Sequence, residues 1–347
     1  MKPSFASSQF LRLLALLLVA ACHSGPDFSH GVPALRLPGA DVVNLDRLGD
    51  PPRSDGPRVL CVTAHPDDEI AFAGVIYKTV THLGGVVDLC VITDGQGGFK
   101  YSSLAESIYG LELTEEEIGR AHLPAIRRAE LARGCAWLGV SSIVHLNQPD
   151  HRYTQAVEEV LGAEAKVWDL DSVRATLDAL LRAGDYDALL VLTPTPGTHA
   201  HHKAASLLAA EAVDRLAPEL RPAVLCVRGE RDDGDPEAQA EVFGELEGWP
   251  LSKVYSDFSF RFDRRQPFGF RQRLDYTIIA NWAIAEHKSQ GTMQLLSNGT
   301  DREVYSLLEV SPRARAEEVA RWFARLAEEQ FEAKIYSSSA GTNAVAR

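Results

Sequence analysis

The chain has 347 residues, 45% of them hydrophobic and 24% charged, with a formal net charge of −13. That balance belongs to a globular protein with ample core and excludes a disordered or fibrous chain. The acidic excess also argues against nucleic acid as a partner, because binding there depends on Lys and Arg neutralising phosphates.

Taken from the start, Lys2 and Arg12 flank a polar lead-in, and Leu13 to Ala21 is wholly apolar. Nine residues are too few to span a bilayer and fit the apolar region of an export signal. Val19-Ala20-Ala21-Cys22 resembles a bacterial lipobox, in which the cysteine is lipidated and becomes the mature N-terminus. With His23 rather than Asp next, the resemblance implies an outer-membrane, periplasm-facing lipoprotein attached to the membrane through lipid on Cys22. Residues 1–22 are thus expected to be a signal peptide. Residues 23–55, rich in Pro, Gly and Asp, are expected to be a tether, and 56–347 the folded domain.

From Val59 the pattern is one of alternating strands and helices. Val59 to Ala64 reads as a short buried strand, followed by a helix from about Asp67 to Leu83 that Gly84-Gly85 stops. Val86 to Thr93 is a second buried strand, running into the turn Asp94 to Gly98. Phe99 to His122 reads as an insertion at the rim of that turn, with a helical piece near Thr114 to Gly119. Pro124 then opens a helix that ends at Gly139. Ile143 to Leu146 and Ala188 to Thr193 read as strands, with an amphipathic helix, Leu170 to Ala183, between them. An Ala/Leu-rich helix, His201 to Leu216, and a fifth strand, Ala223 to Arg228, follow. Val254 to Phe262 alternates like an edge strand. Arg271 to Ser289 reads as a helix, Glu303 to Val310 as a late strand, and Pro312 to about Lys334 as a last amphipathic helix. This order predicts an α/β fold: a mostly parallel, Rossmann-like sheet with helices on both faces and C-terminal strand and helix additions. No GxGxxG or Walker pattern accompanies it, which argues against a nucleotide fold.

Two strand ends carry chemistry. The first strand runs into His65-Pro66-Asp67-Asp68-Glu69. Pro66 suits the first helical position and the acids suit the first turn. A His and an Asp three apart then project to one side, close enough for one metal ion, with Asp67 turned toward a water. A helix cap needs one acid, not this block. The strand ending at Thr193 runs through a Pro/Gly turn into His199-Ala200-His201-His202, again with histidines three apart at a helix start. If those two strands are neighbours, His65, Asp68 and one of these histidines share an ion. Two His and one Asp leave a position open for water, as in catalytic zinc sites.

With these motifs in view, the chain resembles the PIG-L/LmbE-like zinc-dependent N-deacetylases. The resemblance rests on His65 to Glu69 after a strand, Thr93-Asp94-Gly95 after the next, and Arg127-x-x-Glu130 in a helix ending Leu138-Gly139-Val140. It continues with Gln148-Pro149-Asp150, the Gly197 to His202 cluster and His287-x-Ser289-Gln290. It covers roughly Arg58 to Gln290. It implies an LmbE-like fold and one Zn2+ per chain held by His65, Asp68 and His202. It also implies Asp67 as general base, His199 as a protonated group that stabilises the oxyanion or protonates the leaving amine, and Arg127 and Asp150 at the substrate or behind the ligands. His201 stands where the family often has Asp or Asn, so His201 and His202 both remain ligand candidates, with His202 preferred. The implied reaction is hydrolysis of an N-acetyl group on a sugar or glycoconjugate, releasing acetate and an amine. An amidase for a larger N-acyl group and a non-catalytic carbohydrate-binding lipoprotein are the alternatives.

Smaller signals complete the reading. Asp94 either orients a ligand histidine or caps its glycine turn. His287 reads as a helix C-terminal histidine. Trp137, Trp282 and Trp322 lie at helical spacing among apolar residues and are assigned to the core, whereas Trp168 and Trp249 fall in turn-like regions that suit sugar stacking. Cys61, Cys90, Cys135 and Cys226 have no metal-ligand spacing and read as buried thiols.

Overall fold

A computed structural model describes residues 37–328 apart from 38, 49, 235–244 and 292–299. The expected signal peptide with Cys22, the first part of the expected tether and the last residues of the chain lie outside the described residues. Among the described residues no helix is long and apolar enough to cross a membrane.

One sheet organises the domain. Its strands are β1 (Asp41–Asn44), β2 (Arg58–Thr63), β3 (Val86–Thr93), β4 (Ser142–Gln148), β5 (Ala188–Leu192), β6 (Ala223–Glu230), β7 (Val254–Asp263) and β8 (Arg302–Leu308). They lie in the order β1-β4-β3-β2-β5-β6-β8-β7. The five from β4 across to β6 are parallel. β1 and the β8–β7 pair are antiparallel additions at the two edges. The fold is therefore α/β with a mostly parallel sheet and C-terminal additions, as the pattern predicts.

The strands read as continuous apolar runs because both sheet faces are buried. Val59 and Cys61 enter a core shared with helices α1 (Ala73–Thr81), α3 (Glu116–Leu138), α7 (Thr277–Glu286) and α8 (Arg315–Glu328). Leu60 and Val62, which alternate with them, are equally inaccessible. α6 (Ala200–Asp214) packs on β5 and β2, and α5 (Leu170–Gly184) packs on α6. Two short helices, α2 (Ser103–Tyr109) and α4 (Glu158–Leu161), lie in the connections. The four cysteines are buried.

The strand order reverses direction between β2 and β5. From β2 the chain builds outward through β3 and β4, then returns to the other side of β2 and builds through β6. Such a switch point opens a crevice at the carboxyl ends of the strands. The condition set by the two histidine-bearing strand ends is met, since Val59 to Cys61 pair with Ala188 to Leu190.

Four local expectations differ from the structure. The first helix is not continuous from Asp67. Asp67 has φ +157° and ψ −11°, a 3-10 turn follows over Asp68–Phe72, and the α-helix starts at Ala73. The Asp68 carboxylate accepts the backbone N–H groups of Ala64 and His65, a local bond that competes with helix formation. Second, α3 begins at Glu116 and runs through Pro124. The loss of one helical bond at proline is outweighed by packing ahead of it, where Leu123 joins Phe99, Ala105 and Leu113 in a small core. Gly119 is needed there, since a Cβ would stand 2.4 Å from the Leu113 carbonyl oxygen. Third, residues 41–44 of the expected tether pair with β4, using Val42 and Val43. Fourth, α7 is shorter than expected. Arg271 and Gln272 have left-handed φ values, and Asp275 accepts the Thr277 N–H where the helix begins.

The tryptophans also divide. Trp322 is buried, but Trp137 is 45% and Trp282 50% exposed. On α3 the buried stripe is taken by Leu131, Cys135 and Leu138, which turns Trp137 outward.

Candidate metal centre

Four strand ends meet at the crevice. β2 delivers His65, Asp67 and Asp68, β3 delivers Asp94 and the glycine turn, β4 delivers Asp150 and His151, and β5 leads to His199, His201 and His202 at the start of α6. His65 sits at the middle. Its Nδ1 is 2.9 Å from His202 Nε2, and its Nε2 is 3.1 Å from His201 Nδ1. His202 Nε2 is 3.2 Å from Asp68 Oδ1, and His65 Nδ1 is 3.8 Å from Asp68 Oδ2.

Two triads bring donor atoms close enough for one ion: His65, Asp68 and His202, and His65, His199 and His201. In the first, His202 Nε2 lies 2.9 Å from His65 Nδ1 and 3.2 Å from Asp68 Oδ1, close to the roughly 3.3 Å between ligands on a tetrahedron with bonds of about 2.0–2.1 Å. Its donors, two imidazoles and a carboxylate, suit zinc. In the second, His199 Nδ1 already accepts the backbone N–H of His201 at 3.0 Å, capping α6. His201, fully buried, is engaged on both nitrogens: Nδ1 lies 3.4 Å from Asp150 Oδ1, and Nε2 lies 2.9 Å from His151 Nδ1. The first triad is the better fit to a metal.

The electrostatics follow from burial. Burial alone would raise the Asp68 carboxyl, but the charge and hydrogen bond of His202, then His65, hold it well below the ordinary carboxylate range. Burial would likewise lower His202, yet Asp68 outweighs it and raises the imidazole. His65 is depressed, chiefly by burial. Asp67 is pushed up to about 7 by burial, against the pull of Arg127. His199 is lowered to about 4 by burial and then by the neighbouring charges of His201 and His202. The charged His199 expected from the resemblance is therefore disfavoured at neutral pH. Because its Nδ1 accepts a hydrogen bond, the proton of the neutral ring sits on Nε2.

The remaining expected residues take specific places. Arg127 is buried and donates from Nη1 to Gly95 O at 2.7 Å and from Nη2 to Pro66 O at 3.0 Å, with Nη2 also 3.1 Å from Asp67 Oδ2. It holds Asp67 rather than facing a ligand. Asp150 accepts the Gly97 N–H on Oδ2 at 3.1 Å and turns Oδ1 toward His201 and His65. Asp94 caps its turn, accepting the N–H groups of Gln96 and Asp150. Trp168 is no exposed platform. It is buried, packs its ring 5.2 Å from that of His201 and donates to Pro149 O.

Sequence reasoning missed three partners. His151 joins His201, and its position beside Asp150 at a strand end was the available signal. Tyr153, 68% exposed, stands edge-on to His199 with ring centroids 4.9 Å apart. His287 is more than a helix end, because its Nε2 lies 2.6 Å from Glu69 Oε1, both fully buried. Beside it Glu130 accepts the Ser289 hydroxyl at 2.6 Å, so the late His287 to Ser289 segment is tied to the first motif and to α3.

Comparison with known proteins places these residues in context. Residues 60–213 match the family model described as PIG-L, GlcNAc-PI de-N-acetylase. The probable N-acetyl-alpha-D-glucosaminyl L-malate deacetylase 2 of Bacillus cereus is 27% identical over 169 residues, 49% of this chain and 66% of that protein. The N,N'-diacetylchitobiose deacetylase from Pyrococcus horikoshii is 28% identical, with 47% of this chain and 51% of that chain covered and a TM-score of 0.34. The zinc-inhibited form of teicoplanin deacetylase Orf2 is 16% identical over 72% of this chain and 97% of that chain, with a TM-score of 0.45. The chain thus spans about half to two thirds of the length of the first two relatives.

Proposed function

We propose that this chain, whose residues 60–213 match the GlcNAc-PI de-N-acetylase family model, hydrolyses the N-acetyl amide of an N-acetylated sugar or glycoconjugate, using one zinc ion held by His65, Asp68 and His202. The observation that carries this reading is the convergence of those three side chains at the β2–β5 switch point, with the buried Asp67 carboxyl beside them.

Zinc, when bound, would lower the pKa of its water to about 7 and polarise the amide carbonyl. Asp67, with its pKa near neutrality, accepts the proton of the attacking water and returns it to the departing nitrogen. Arg127 keeps the Asp67 carboxylate aimed while this happens. His199 presents Nε2–H to the oxygen on which charge develops, as a neutral donor fixed by its bond to the His201 N–H. Asp150 and His151 hold His201, whose buried ring backs His65. Water adds to the acyl carbon, the C–N bond breaks, and the products are acetate and a free amine.

The test begins with metal content, measured by elemental analysis of the soluble form that starts after Cys22, purified without a His tag. About one zinc per chain, together with acetate release from a panel of N-acetylated sugars, supports the reading. No metal after zinc is offered removes it. The location is proposed on residues 1–22 alone: a lipid-anchored envelope protein facing the periplasm, attached through Cys22. Cys22→Ala should move it from the detergent to the aqueous phase in partitioning. Unchanged partitioning would sink the anchor.

A further inference from the structure

The two exposed tryptophans form a built surface. Trp137 lies in the last turn of α3 and Trp282 on α7, with ring centroids 5.5 Å apart and planes inclined at 55°. The Trp137 indole is held in place, since its Nε1–H donates to Glu286 Oε1 at 3.3 Å. The other oxygen of Glu286 accepts from Arg133 Nε at 2.9 Å and from Lys288 Nζ at 3.3 Å. Two large apolar rings are thus half in water, with Trp282 against a Trp137 that is itself held, and charged hydrogen-bonding groups lie at the rim.

Indoles bury about 150–250 Å² each when covered, so two half-exposed rings offer roughly 200 Å². A stable protein interface needs about 800 Å² per partner. No other exposed large apolar side chain lies on α3 or α7 to extend the patch. A second copy of the chain is therefore a poor occupant. A pyranose ring is a good one: its C–H face matches an indole in size and polarity, and its hydroxyls suit the carboxylate, guanidinium and ammonium at the rim.

The surface is separate from the metal centre. Trp137 follows Arg127 by ten residues on the same helix, about 15 Å along its axis. α3 leads through Gly139 into the start of β4, so its C-terminal end lies toward the sheet edge opposite the crevice.

We propose that Trp137 and Trp282 form a glycan-binding site distinct from the metal centre, taking one or two pyranose units of a longer saccharide. The site stands whether or not the chain is a hydrolase. If it is, holding a chain at a second point raises the local concentration of glycan, so long saccharides have a lower KM while single sugars do not benefit.

The experiment measures binding of N-acetylchitohexaose, by calorimetry, to the parent chain and to Trp137→Ala, Trp282→Ala, Trp282→Tyr and His202→Ala. The expected result is saturable binding by the parent, about tenfold or greater weakening in either alanine variant, near-parent affinity in Trp282→Tyr, and parent-like binding in His202→Ala. No binding by the parent, or equal binding by both alanine variants, overturns the proposal. Loss of binding in His202→Ala assigns the saccharide to the metal centre and also overturns it, as does a parent dimer that Trp282→Ala splits on sedimentation. Tryptophan-dependent binding without acetate release would leave the glycan site standing and remove only the hydrolase reading.

Discussion

One guanidinium governs Asp67: Arg127 Nη2 stands 3.1 Å from its Oδ2 and also donates to the carbonyl of Pro66, the residue before it. Side chain and backbone of the proposed base are thus held by one group on α3. Arg127→Met should keep zinc and the fold yet lower kcat about 100-fold, the loss that misplacement by about 1 Å produces. Acetate release with metal analysis checks it. A parent-like kcat would mean that Asp67 is positioned without Arg127.

Asp67 itself should separate chemistry from metal binding. Asp67→Asn is expected to retain about one zinc per chain and to lose 10²–10⁴-fold in kcat, the usual contribution of a positioned base. His65→Ala should instead lower the zinc content. Full activity in the first variant removes Asp67 as base, and unchanged metal in the second places the ion elsewhere.

The C-terminal strands should matter for stability through one buried pair. Glu303 on β8 accepts the Gly74 and Val75 N–H groups at the start of α1, and Arg264 Nε donates to it at 2.7 Å while its Nη2 reaches Ile70 O. Both side chains are inaccessible. Arg264→Met leaves a buried carboxylate without its cation and should cost about 3–5 kcal/mol, read by urea unfolding. A loss under about 1 kcal/mol would show that the backbone donors suffice for Glu303.

Acid should act partly through His145 on β4. Burial, and then the charge of Arg128, push its imidazole from 6.5 down to about 4, against Asp41. A folded pKa below the unfolded one means that the unfolded state takes up the proton first. This contribution is therefore full above pH 6.5 and is lost as pH falls toward 4. Between pH 7 and pH 5 the parent should lose about 2 kcal/mol that His145→Leu does not lose. Parallel pH profiles for the two proteins in chemical unfolding would refute this.

Much of this was legible in the sequence, and the reasons are local. β2, β3, β5 and β6 announce themselves because burial on both faces gives each a short, largely apolar run. His65 and Asp68 stood out as candidates because they follow directly on a strand end, and His202 because, ten residues beyond β5, it falls in a histidine cluster at a helix start. His151 offered less: its place beside Asp150 at a strand end is a weak signal without a second histidine at ligand spacing, and it gains its meaning when β4 brings it to His201. The pairing of Glu69 with His287 spans 218 residues and leaves no periodic trace. The helix start was misplaced because Asp68 spends its carboxylate on the backbone of residues 64 and 65, a choice that local propensity does not reveal. Trp137 and Trp282 were misassigned because helical spacing tells which residues share a face, not which face meets a neighbour.

The reversal of strand order at β2 and β5 also sets the order in which the molecule can mature. His65 and His202 are 137 residues apart in the chain, and they can meet only after β3, β4 and the crossover to β5 have been synthesised. A nascent chain leaving the ribosome therefore carries its first histidine motif through the synthesis of 137 further residues before the second is complete. Metal capture at the proposed site would be a late event that selects the finished topology: an ion that binds only the native arrangement deepens that state by about 4 kcal/mol at a thousandfold excess over its Kd. With an ion bound there, the crevice would serve as a checkpoint on assembly.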